Sequence, residues 1–248
     1  MSVQILTGDC RELLRSLPVA FADGCITDPP YGDTSLAWDK RVDGWIGEVA
    51  RCLKASSSIW VFGSMRYLAS LFDRMEAHDF RYGQDIVWEK QNGSGFHADR
   101  FKRVHEHAVM FYRGKWRDLY AKPQFTNDAT KRTVLRTKRP PHTGHIEASH
   151  YISEDGGPRL MRSVIYARNE HGKAVHPTQK PIEIVQPLLL YSIPPGGTVI
   201  DPFAGSGTTG MAAKQNRRNA ILCEIDEGYA DAARQRICDD APLLLEAP

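Results

Sequence analysis

The chain has 248 residues, of which 42% are hydrophobic and 25% charged, and its net charge is +2, values that are ordinary for a globular protein with a substantial core. No apolar run approaches the ~20 residues of a membrane span, and the opening MSVQILTGDC lacks the basic start and apolar stretch of a signal peptide. The five cysteines are scattered and have no zinc-ligand spacing. We therefore expect a cytoplasmic protein of one large domain, without a membrane partner or a metal, whose cysteines are reduced packing residues.

Short β-type runs alternate with amphipathic helical runs in the first part of the chain. Strands are predicted at VQILT (3–7), GCIT (24–27) and SSIWVFG (57–63), with a helix at about 10–17. Two further helices flank the third strand, because apolar residues recur there at i, i+3, i+4 and i+7 in the stripes Trp45, Val49, Cys52, Leu53 and Leu68, Leu71, Phe72, Met75. This alternation indicates an α/β fold with a largely parallel sheet.

The middle of the chain departs from this pattern. DIVWEK (85–90) and EHAVMFYRG (106–114) follow one another with no helix between them, which predicts an antiparallel pair at the edge of the sheet. Residues 114–175 lose periodicity and are polar, basic and interrupted by RPPHTG and EDGGP. They are therefore predicted to be an inserted module of loops.

Regular structure returns after HPTQKP, where Pro181 suits the first turn of a helix. Two more strands are predicted at GTVID (197–201) and NAILCEID (219–226), each followed by a helix. The last ten residues are predicted to form a tail.

Positive charge is concentrated in one segment. Residues 99–145 hold twelve Lys and Arg against four Asp and Glu, a local balance of +8, so the rest of the chain sums to −6. Within this segment KRTVLRTKR contains five bases and no acid, namely Lys131, Arg132, Arg136, Lys138 and Arg139. The run predicts a groove for a phosphate backbone, with a solvated charged surface as the alternative.

The stretch TDPPYGDT, residues 27–34, follows a predicted strand. Pro29 and Pro30 restrict the backbone on both sides, so Asp28 and Tyr31 are held at fixed angles. A surface turn would also explain the prolines. A carboxylate beside an aromatic face nevertheless suits a flat ring that bears an amine, because one group accepts from the NH2 and the other covers the π surface.

A second motif, DPFAGSGTTG at residues 201–210, lies between a predicted strand and a predicted helix. Gly205, Ser206 and Gly207 would direct backbone amides at an anionic group, and Glu224 could accept two ribose hydroxyls. A tight connection without a ligand is the alternative. Neither the dinucleotide fingerprint nor the P-loop matches, since Thr208 stands where the P-loop needs Lys. Both motifs follow strands, so we expect them to face each other across the carboxyl edge of the sheet.

With DPPY, HPTQKP and DPFAGSGTT in this order, the chain resembles the S-adenosylmethionine-dependent DNA amino-methyltransferases, which methylate N6 of adenine or N4 of cytosine. The resemblance covers residues 3–113 and 176–237, and the motif order is similar to the permuted group called β-class. It implies a Rossmann-like methyltransferase fold, circularly permuted, with a seven-stranded, mostly parallel sheet that has one antiparallel strand. The implied parts are a catalytic half (1–113), a target-recognition insert (114–175), a cofactor-binding half (176–238) and a tail (239–248).

The resemblance also implies roles for individual residues. The methionine part of the cofactor falls to the loop residues Asp201, Phe203, Gly205, Ser206, Gly207 and Thr208. The resemblance implies that Glu224 binds the ribose and that Asp9 contacts the adenine amine. It also implies that Thr178 and Lys180 lie near the carboxylate of the cofactor. In the motif completed by Pro30, Asp28 and the Pro29 carbonyl would accept hydrogen bonds from the target amine, and Tyr31 would stack on the flipped ring.

These roles make chemical sense of the DPPY motif. An exocyclic amine is a poor nucleophile because its lone pair is delocalised into the ring. Two acceptors favour a tetrahedral nitrogen whose lone pair can attack the sulfonium methyl in line. The base must first be flipped out of double-stranded DNA, and an aromatic face offsets part of the lost stacking.

Several alternatives stay open at this point. Asp at the first motif position leans towards adenine and Ser towards cytosine in the resembled family, so N6-adenine is favoured and N4-cytosine is second. Methylation at cytosine C5 is disfavoured because no Cys follows a proline. Two further hypotheses are a methyltransferase that acts on RNA or on protein glutamine, and a non-enzymatic DNA-binding module. The family often forms dimers, and a homodimer and a cognate restriction endonuclease are open.

Overall fold

The computed structural model describes residues 2–94, 98–136, 149–170 and 176–240. These residues form two compact units. One contains the described residues up to 122 and from 163 onward, and the other is Pro123–Arg162. The predicted insert, 114–175, is wider than this smaller unit, because a short 3-10 turn at Trp116–Asp118 and a strand at Val164–Tyr166 belong to the larger one.

The strands and helices are numbered in chain order. The strands are β1 (Val3–Thr7), β2 (Ala22–Thr27), β3 (Leu53–Gly63), β4 (Arg81–Ser94), β5 (Arg103–Arg113), β6 (Phe125–Thr126), β7 (Arg132–Arg136), β8 (Ser149–Ser153), β9 (Arg159–Leu160), β10 (Val164–Tyr166), β11 (Thr198–Asp201) and β12 (Asn219–Glu224). The helices are α1 (Cys10–Arg15), α2 (Trp45–Cys52), α3 (Met65–Ala69), α4 (Phe72–Glu76), α5 (Ile182–Ser192), α6 (Thr208–Gln215) and α7 (Glu227–Asp239). Among the described residues, no helix has the length and apolar character needed to cross a membrane.

The larger unit is built on one sheet, whose described strands lie in the order β1-β12-β11-β2-β3-β5-β4-β10. All of them run in the same direction except β5, which is antiparallel to both β3 and β4. The predicted fold class, a mostly parallel sheet with one antiparallel strand, is therefore confirmed.

Two details of the sheet differ from the prediction. The described sheet has eight strands instead of seven, because β10, from the segment predicted as insert, pairs in parallel with β4. A strand of three residues is too short to show the alternation by which strands are predicted. As a result β10, and not the predicted antiparallel pair, forms this edge of the sheet.

Two apolar clusters cover the two faces of the sheet. Residues alternate along β3, so that Ile59 and Val61 join the cluster packed under α1–α4, while Trp60 and Phe62 join the cluster under α5–α7. All four side chains are almost fully buried. A central strand with both faces covered explains why SSIWVFG is nearly continuous in apolar residues.

The second predicted helical stripe forms two short helices, α3 and α4, instead of one. Ser70, between them, donates its hydroxyl to the carbonyl of Tyr67 at 2.7 Å, a side-chain bond that competes with helical hydrogen bonding. The next amide, of Leu71, bonds to Leu68 at 2.8 Å in an i to i+3 turn. Leu68 and Leu71 are still fully buried, so the predicted apolar stripe is correct although the helix is broken.

The smaller unit has more regular structure than the predicted loops. β6 pairs with β9 and β7 pairs with β8, each as an antiparallel two-stranded ribbon. Leu135 and Ile152, on β7 and β8, are both more than half exposed. This unit therefore presents apolar as well as basic side chains to its surroundings.

Candidate active site

The parallel strands of the larger unit bring the predicted site residues to one edge. Thr7 is paired with Glu224, and Asp201 with Leu222, so β1 and β12 end level with each other and β11 ends two residues earlier. Thr27 ends the neighbouring strand β2, and Asp28 follows it directly. The carboxyl ends of parallel strands are where α/β proteins bind ligands.

A cavity of about 570 Å³ opens at this edge, a volume in the usual range for small-molecule sites. It is lined by residues of the DPPY motif, of HPTQKP and of the glycine loop. The predicted residues among them are Asp9, Asp28, Pro30, Thr178, Lys180, Asp201, Phe203, Gly205, Ser206, Thr208 and Glu224. Pro29, Tyr31 and Gly207 belong to the same loops but are not among the lining residues.

The glycine loop is tied to the end of β12 by Glu224. One carboxylate oxygen of Glu224 accepts the amide of Gly205 at 2.7 Å, and the other accepts the amide of Asp226 at 3.0 Å. Glu224 is 8% exposed, so its carboxylate is fixed in place while it still lines the cavity. Each carboxylate oxygen keeps lone pairs for a ligand, since the group can accept about four hydrogen bonds.

Asp201, at the end of β11, also forms hydrogen bonds that stabilise the glycine loop. Its carboxylate accepts the amide of Phe203 at 3.1 Å and the hydroxyl of Thr209 at 2.7 Å. Burial raises the pKa of Asp201 to about 6, against the hydrogen bond from Thr209, which lowers it. Asp201 therefore joins the end of β11 to the first turn of α6.

Arg236, on α7, is a residue of this site that the sequence did not predict. Its guanidinium donates to the Ser206 carbonyl at 2.9 Å and to the Thr208 hydroxyl at 3.0 Å. The Thr208 hydroxyl in turn donates to the Lys180 carbonyl at 3.0 Å. These bonds hold the start of α6 against HPTQKP, and no sequence motif marks the arginine.

Asp9 is the N-cap of α1 as well as a lining residue of the cavity. Its side chain accepts the amide of Arg11 at 2.8 Å and pairs with the Arg11 guanidinium at 2.5 Å. This hydrogen bonding lowers the pKa of Asp9. The carboxylate therefore stays ionised. The neighbouring Gly8 also lines the cavity, and its amide bonds to the carbonyl of Glu224 at 2.8 Å.

The DPPY motif is part of a partly buried array of alternating charges. One oxygen of Asp28 accepts the hydroxyl of Tyr31 and the other contacts the ammonium of Lys180. The same ammonium lies 3.4 Å from Glu106 on β5, and Glu106 also pairs with Lys90 on β4. The resemblance placed Lys180 near the cofactor carboxylate, whereas in the structure its charge is directed to Asp28.

Burial and pairing oppose each other in this array. Burial raises the pKa of Asp28, while the neighbouring Lys180 works to lower it. Burial disfavours the charge of Lys180, but Asp28 and Glu106 outweigh it and raise the pKa of Lys180. For Glu106 burial is again outweighed, here by Lys180 and Lys90, which hold its pKa at about 2. All three groups lie in an environment where losing a partner would leave a buried charge uncompensated.

Tyr31 is held on two sides. Its ring lies 5.3 Å from that of Tyr67, tilted by 35°, and its carbonyl accepts the Arg41 guanidinium at 2.9 Å. Downstream, Asp39 accepts the amides of Gly32 and Thr34 at 2.8 and 2.7 Å. Asp39 therefore folds the segment that follows the motif into a compact loop.

This loop presents Trp38 to the cavity. The Trp38 ring lies 5.2 Å from that of His176, which lies 4.3 Å from the ring of Tyr229 at the start of α7. Burial lowers the pKa of His176 to about 4, so the imidazole is neutral at physiological pH. The sequence did not predict this cluster of three rings, because the rings come from distant segments of the chain.

The predicted DNA-binding residues belong to the smaller unit. The ammonium of Lys131 is 3.8 Å from the carboxylate of Glu154, and Arg132 is exposed on β7. Arg136 ends β7, and Lys138 and Arg139 lie outside the described residues. The contact of these five residues with DNA stays a prediction.

Comparison with known proteins gives a consistent family. The family N6_N4_Mtase, described as DNA methylase, matches residues 22–235. The chain is 31% identical over 265 residues to the type II methyltransferase M.HinfI of Haemophilus influenzae, covering 96% of this chain and 69% of that protein. The crystal structure of the M1.HpyAVI–SAM complex has a TM-score of 0.64 and 25% identity, covering 94% of this chain and 99% of that one.

The PvuII DNA methyltransferase, described as cytosine-N4-specific, has a TM-score of 0.66 at 19% identity over 97% of this chain and 88% of that one, and so shares the fold. The family match, the relative and the paired motifs at one cavity agree with the predicted resemblance, which is confirmed. The chain belongs to the S-adenosylmethionine-dependent DNA methyltransferases of the N6-adenine and N4-cytosine family.

Proposed function

We propose that the protein methylates the N6 amine of adenine in double-stranded DNA. The observation that carries the proposal is that Asp28 lines the same cavity as Glu224 and the glycine loop, which supports a role for Asp28 as acceptor of the target amine and a role for the loop in binding the nucleoside of the cofactor. Asp at this position supports adenine, because in the family Asp leans towards adenine and Ser towards cytosine. N4-cytosine is the second candidate, and the fold shared with the PvuII enzyme supports it.

The residues that line the cavity fit the cofactor. Glu224 and Asp9 supply two carboxylates, suited to ribose hydroxyls and to an adenine amine, and Thr178 lies beside them as a further polar group. Gly205 has φ of +49° and lines the cavity, so the loop brings its backbone to the cavity wall. The amides of Gly205 and Gly207 are bonded to Glu224 and to the Ala204 carbonyl and do not point at an anionic ligand, contrary to the prediction from the sequence. When bound, S-adenosylmethionine supplies an electrophilic methyl group on a sulfonium.

Asp28 and the Pro29 carbonyl would act on the target amine. Lys180 and Tyr31 each contact one oxygen of Asp28, which holds the carboxylate in one orientation and favours its ionised form. Each oxygen retains lone pairs that can accept an amine N–H. With both N–H bonds held by acceptors, the nitrogen lone pair is available for attack at the methyl group. We assign Lys180 as a positioning residue that acts through Asp28.

Tyr31 would provide the aromatic surface for the flipped base. One side of its ring is already packed on Tyr67, which leaves a rigid platform instead of a freely rotating side chain. Such stacking offsets part of the free energy lost when the base leaves the duplex. The basic run Lys131, Arg132, Arg136, Lys138 and Arg139 would contact the DNA from the smaller unit.

The experiment that tests the proposal identifies the methylated nucleoside. Mixed plasmid DNA is incubated with the protein and isotope-labelled S-adenosylmethionine, digested and analysed by mass spectrometry. We expect labelled N6-methyladenine. Labelled N4-methylcytosine would replace the adenine assignment with the second candidate. A protein–DNA adduct trapped by a fluorinated base would contradict direct attack by the amine, since it needs a covalent nucleophile.

A further inference from the structure

The hairpin formed by β4 and β5 extends well beyond the active-site edge of the sheet. Thr27, at the end of β2, is level with Val61 of β3, and Val61 is level with Val109 of β5. β5 begins six residues before Val109, at Arg103, so it continues ~20 Å past this row at ~3.3 Å per residue. The tip of the hairpin therefore lies beyond the carboxyl edge of the sheet, the edge at which the cavity opens.

The base of this projection is anchored in the charged array. Glu106 on β5 and Lys90 on β4 pair with each other, and Glu106 lies 3.4 Å from the ammonium that contacts Asp28. β5 is continuous from Arg103 to Glu106, so the residues at the tip lie only a few positions along the strand from the charged array that includes Asp28. The pairing of β4 with β5 is regular from Ile86 to Glu89 and irregular between Glu89 and Ser94.

The described residues of the tip, 99–103, have the sequence DRFKR, three bases against one acid. Phe101 has an exposed fraction of 101%, the largest among the exposed apolar side chains, and it packs in neither apolar cluster. Arg100 pairs with Asp99 at 2.8 Å, but both side chains are more than half exposed, so the pair is weak in water. The exposed Lys102 lies across Gly93.

An aromatic ring between cations is the side-chain pattern by which proteins bind nucleic acid, since bases stack on the ring while cations contact phosphates. Phenylalanine also serves as a wedge that enters between base steps and unstacks them. A base that is to reach Asp28 must leave its stack, and an apolar group next to it can occupy the opened space.

We propose that residues 99–103 form a DNA wedge, in which Phe101 enters the base stack beside the target while Arg100 and Lys102 contact the neighbouring phosphates. The proposal rests on the proposed function, because it assumes a duplex substrate whose base is flipped. It assigns the wedge to the β4–β5 hairpin of the larger unit, apart from the basic run of the smaller one.

The test compares two DNA duplexes that carry the same methylation site, one with the target base fully paired and one with it mismatched. Opening a mismatched base requires less free energy, so an enzyme that lacks its wedge is rescued by the mismatch. The variants are Phe101→Ala, Phe101→Trp and the control Val19→Ala, whose side chain is 67% exposed shortly before β2 and so lies near the opposite edge of the sheet. The readouts are kcat/KM and the fluorescence of 2-aminopurine at the target position.

For Phe101→Ala we expect kcat/KM on the paired duplex to fall by ~5- to 100-fold, from the usual effect of removing an aromatic stacking partner. On the mismatched duplex the rate should return to within about threefold of wild type, and Phe101→Trp and Val19→Ala should resemble wild type on both. Equal losses on the two duplexes, or no loss on either, would overturn the wedge.

The phosphate contacts are tested separately by salt dependence. Lys102→Gln and Arg100→Gln should each lower the slope of log affinity against log salt by about 0.9, whereas Phe101→Ala should leave the slope unchanged. Unchanged slopes for both variants overturn the phosphate contacts. A change of oligomeric state in Phe101→Ala, with wild-type rates on both duplexes, would instead make the tip a protein contact.

Failure of the proposed function has a different signature. If the wild-type protein binds S-adenosylmethionine in calorimetry but transfers no methyl group to either duplex, double-stranded DNA is excluded as the substrate. The proposed wedge is then excluded as well. Methyl transfer by the wild type with unaltered Phe101→Ala rates removes only the wedge.

Discussion

Lys180 and Glu106 exert opposite effects on the residue proposed to accept the target amine. Lys180 lowers the pKa of Asp28 and Glu106 raises it. The proposed mechanism requires ionised Asp28, so methyl transfer should be lost as the pH falls through the pKa of Asp28. Lys180→Met should therefore move the acidic limb of the kcat profile to higher pH, and Glu106→Gln should move it to lower pH. The measurement is kcat against pH for each variant.

The other titratable groups that face Asp28 from the surrounding elements must be left unchanged in this comparison, and they are Tyr31, Tyr67, Lys90 and Asp201. Lys54→Met is a suitable control, because Lys54 forms a half-exposed pair with Asp23 at 2.6 Å at the amino end of β3. If both Lys180→Met and Glu106→Gln lower kcat without moving the acidic limb, their role is only structural.

Asp9 is the N-cap of α1 and is proposed to bind the adenine amine of the cofactor, and substitutions can separate these two roles. Asp9→Ala should weaken cofactor binding by ~1 to 3 kcal/mol, the usual effect of leaving a polar partner unpaired, and should also lower stability by ~1 kcal/mol, since Asp9 is the N-cap of α1. Asp9→Asn keeps an oxygen acceptor and should retain the cap. Calorimetry and thermal unfolding measure the two effects, and unchanged cofactor affinity in Asp9→Ala would contradict the adenine-amine role.

At the scale of elements, the connection from β11 to α6 depends on one glycine. Gly207 has φ +73°, and a Cβ there would lie 3.0 Å from Ala233 and from Ile237 on α7. Gly207→Ala should destabilise the protein by ~1 to 3 kcal/mol through backbone strain and crowding. Gly196 is a matched control, with φ +74° and nothing within 4 Å. Equal losses of stability for Gly207→Ala and Gly196→Ala would show that crowding against α7 contributes nothing.

The β7–β8 ribbon carries the other element-scale prediction. Arg132, exposed on β7, and Lys131, just before it, should each lower the salt slope of DNA binding by about 0.9 when changed to Ala if they contact phosphates. A base-contacting residue should instead weaken binding to the cognate site by ~1 to 3 kcal/mol and relax its specificity. Cofactor affinity should not change. If both variants keep the wild-type salt slope and the wild-type specificity, the basic residues of the ribbon are only a solvated charged surface.

The elements that periodicity identifies were predicted well, and those that depend on distant partners were not. Local sequence is sufficient to predict the DPPY and DPFAGSGTT motifs at the ends of strands and the apolar stripe of α2. The strand β10 has three residues and is ordered only because β4 offers it an edge. The contact between Asp28 and Lys180 joins residues 152 positions apart, and neither motif alone indicates where the ammonium points.

At the scale of the whole molecule, the two halves of the chain contribute different parts of one site. Asp9 and two residues of the DPPY motif, Asp28 and Pro30, come from the first half of the chain. Most of the glycine loop comes from the second half, with Lys180 and Glu224, and all of these residues line one cavity. The carboxyl-edge rule predicts this meeting point from the sequence. The rings of Trp38, His176 and Tyr229 complete the wall, and their meeting depends on the tertiary fold.

The proposed methyl transfer to a DNA base depends most directly on Asp28, and one variant tests this dependence. Asp28→Ala is compared with wild type and with Asp43→Ala, whose carboxylate is 87% exposed, by measuring methyl transfer to DNA and S-adenosylmethionine affinity on the same preparations. We predict that Asp28→Ala abolishes methyl transfer and keeps cofactor affinity within about threefold of wild type, because Asp28 is proposed to contact the target amine and not the cofactor, while Asp43→Ala changes neither. Methyl transfer at the wild-type rate in Asp28→Ala, or a loss of cofactor affinity as large as the loss of activity, would contradict the account.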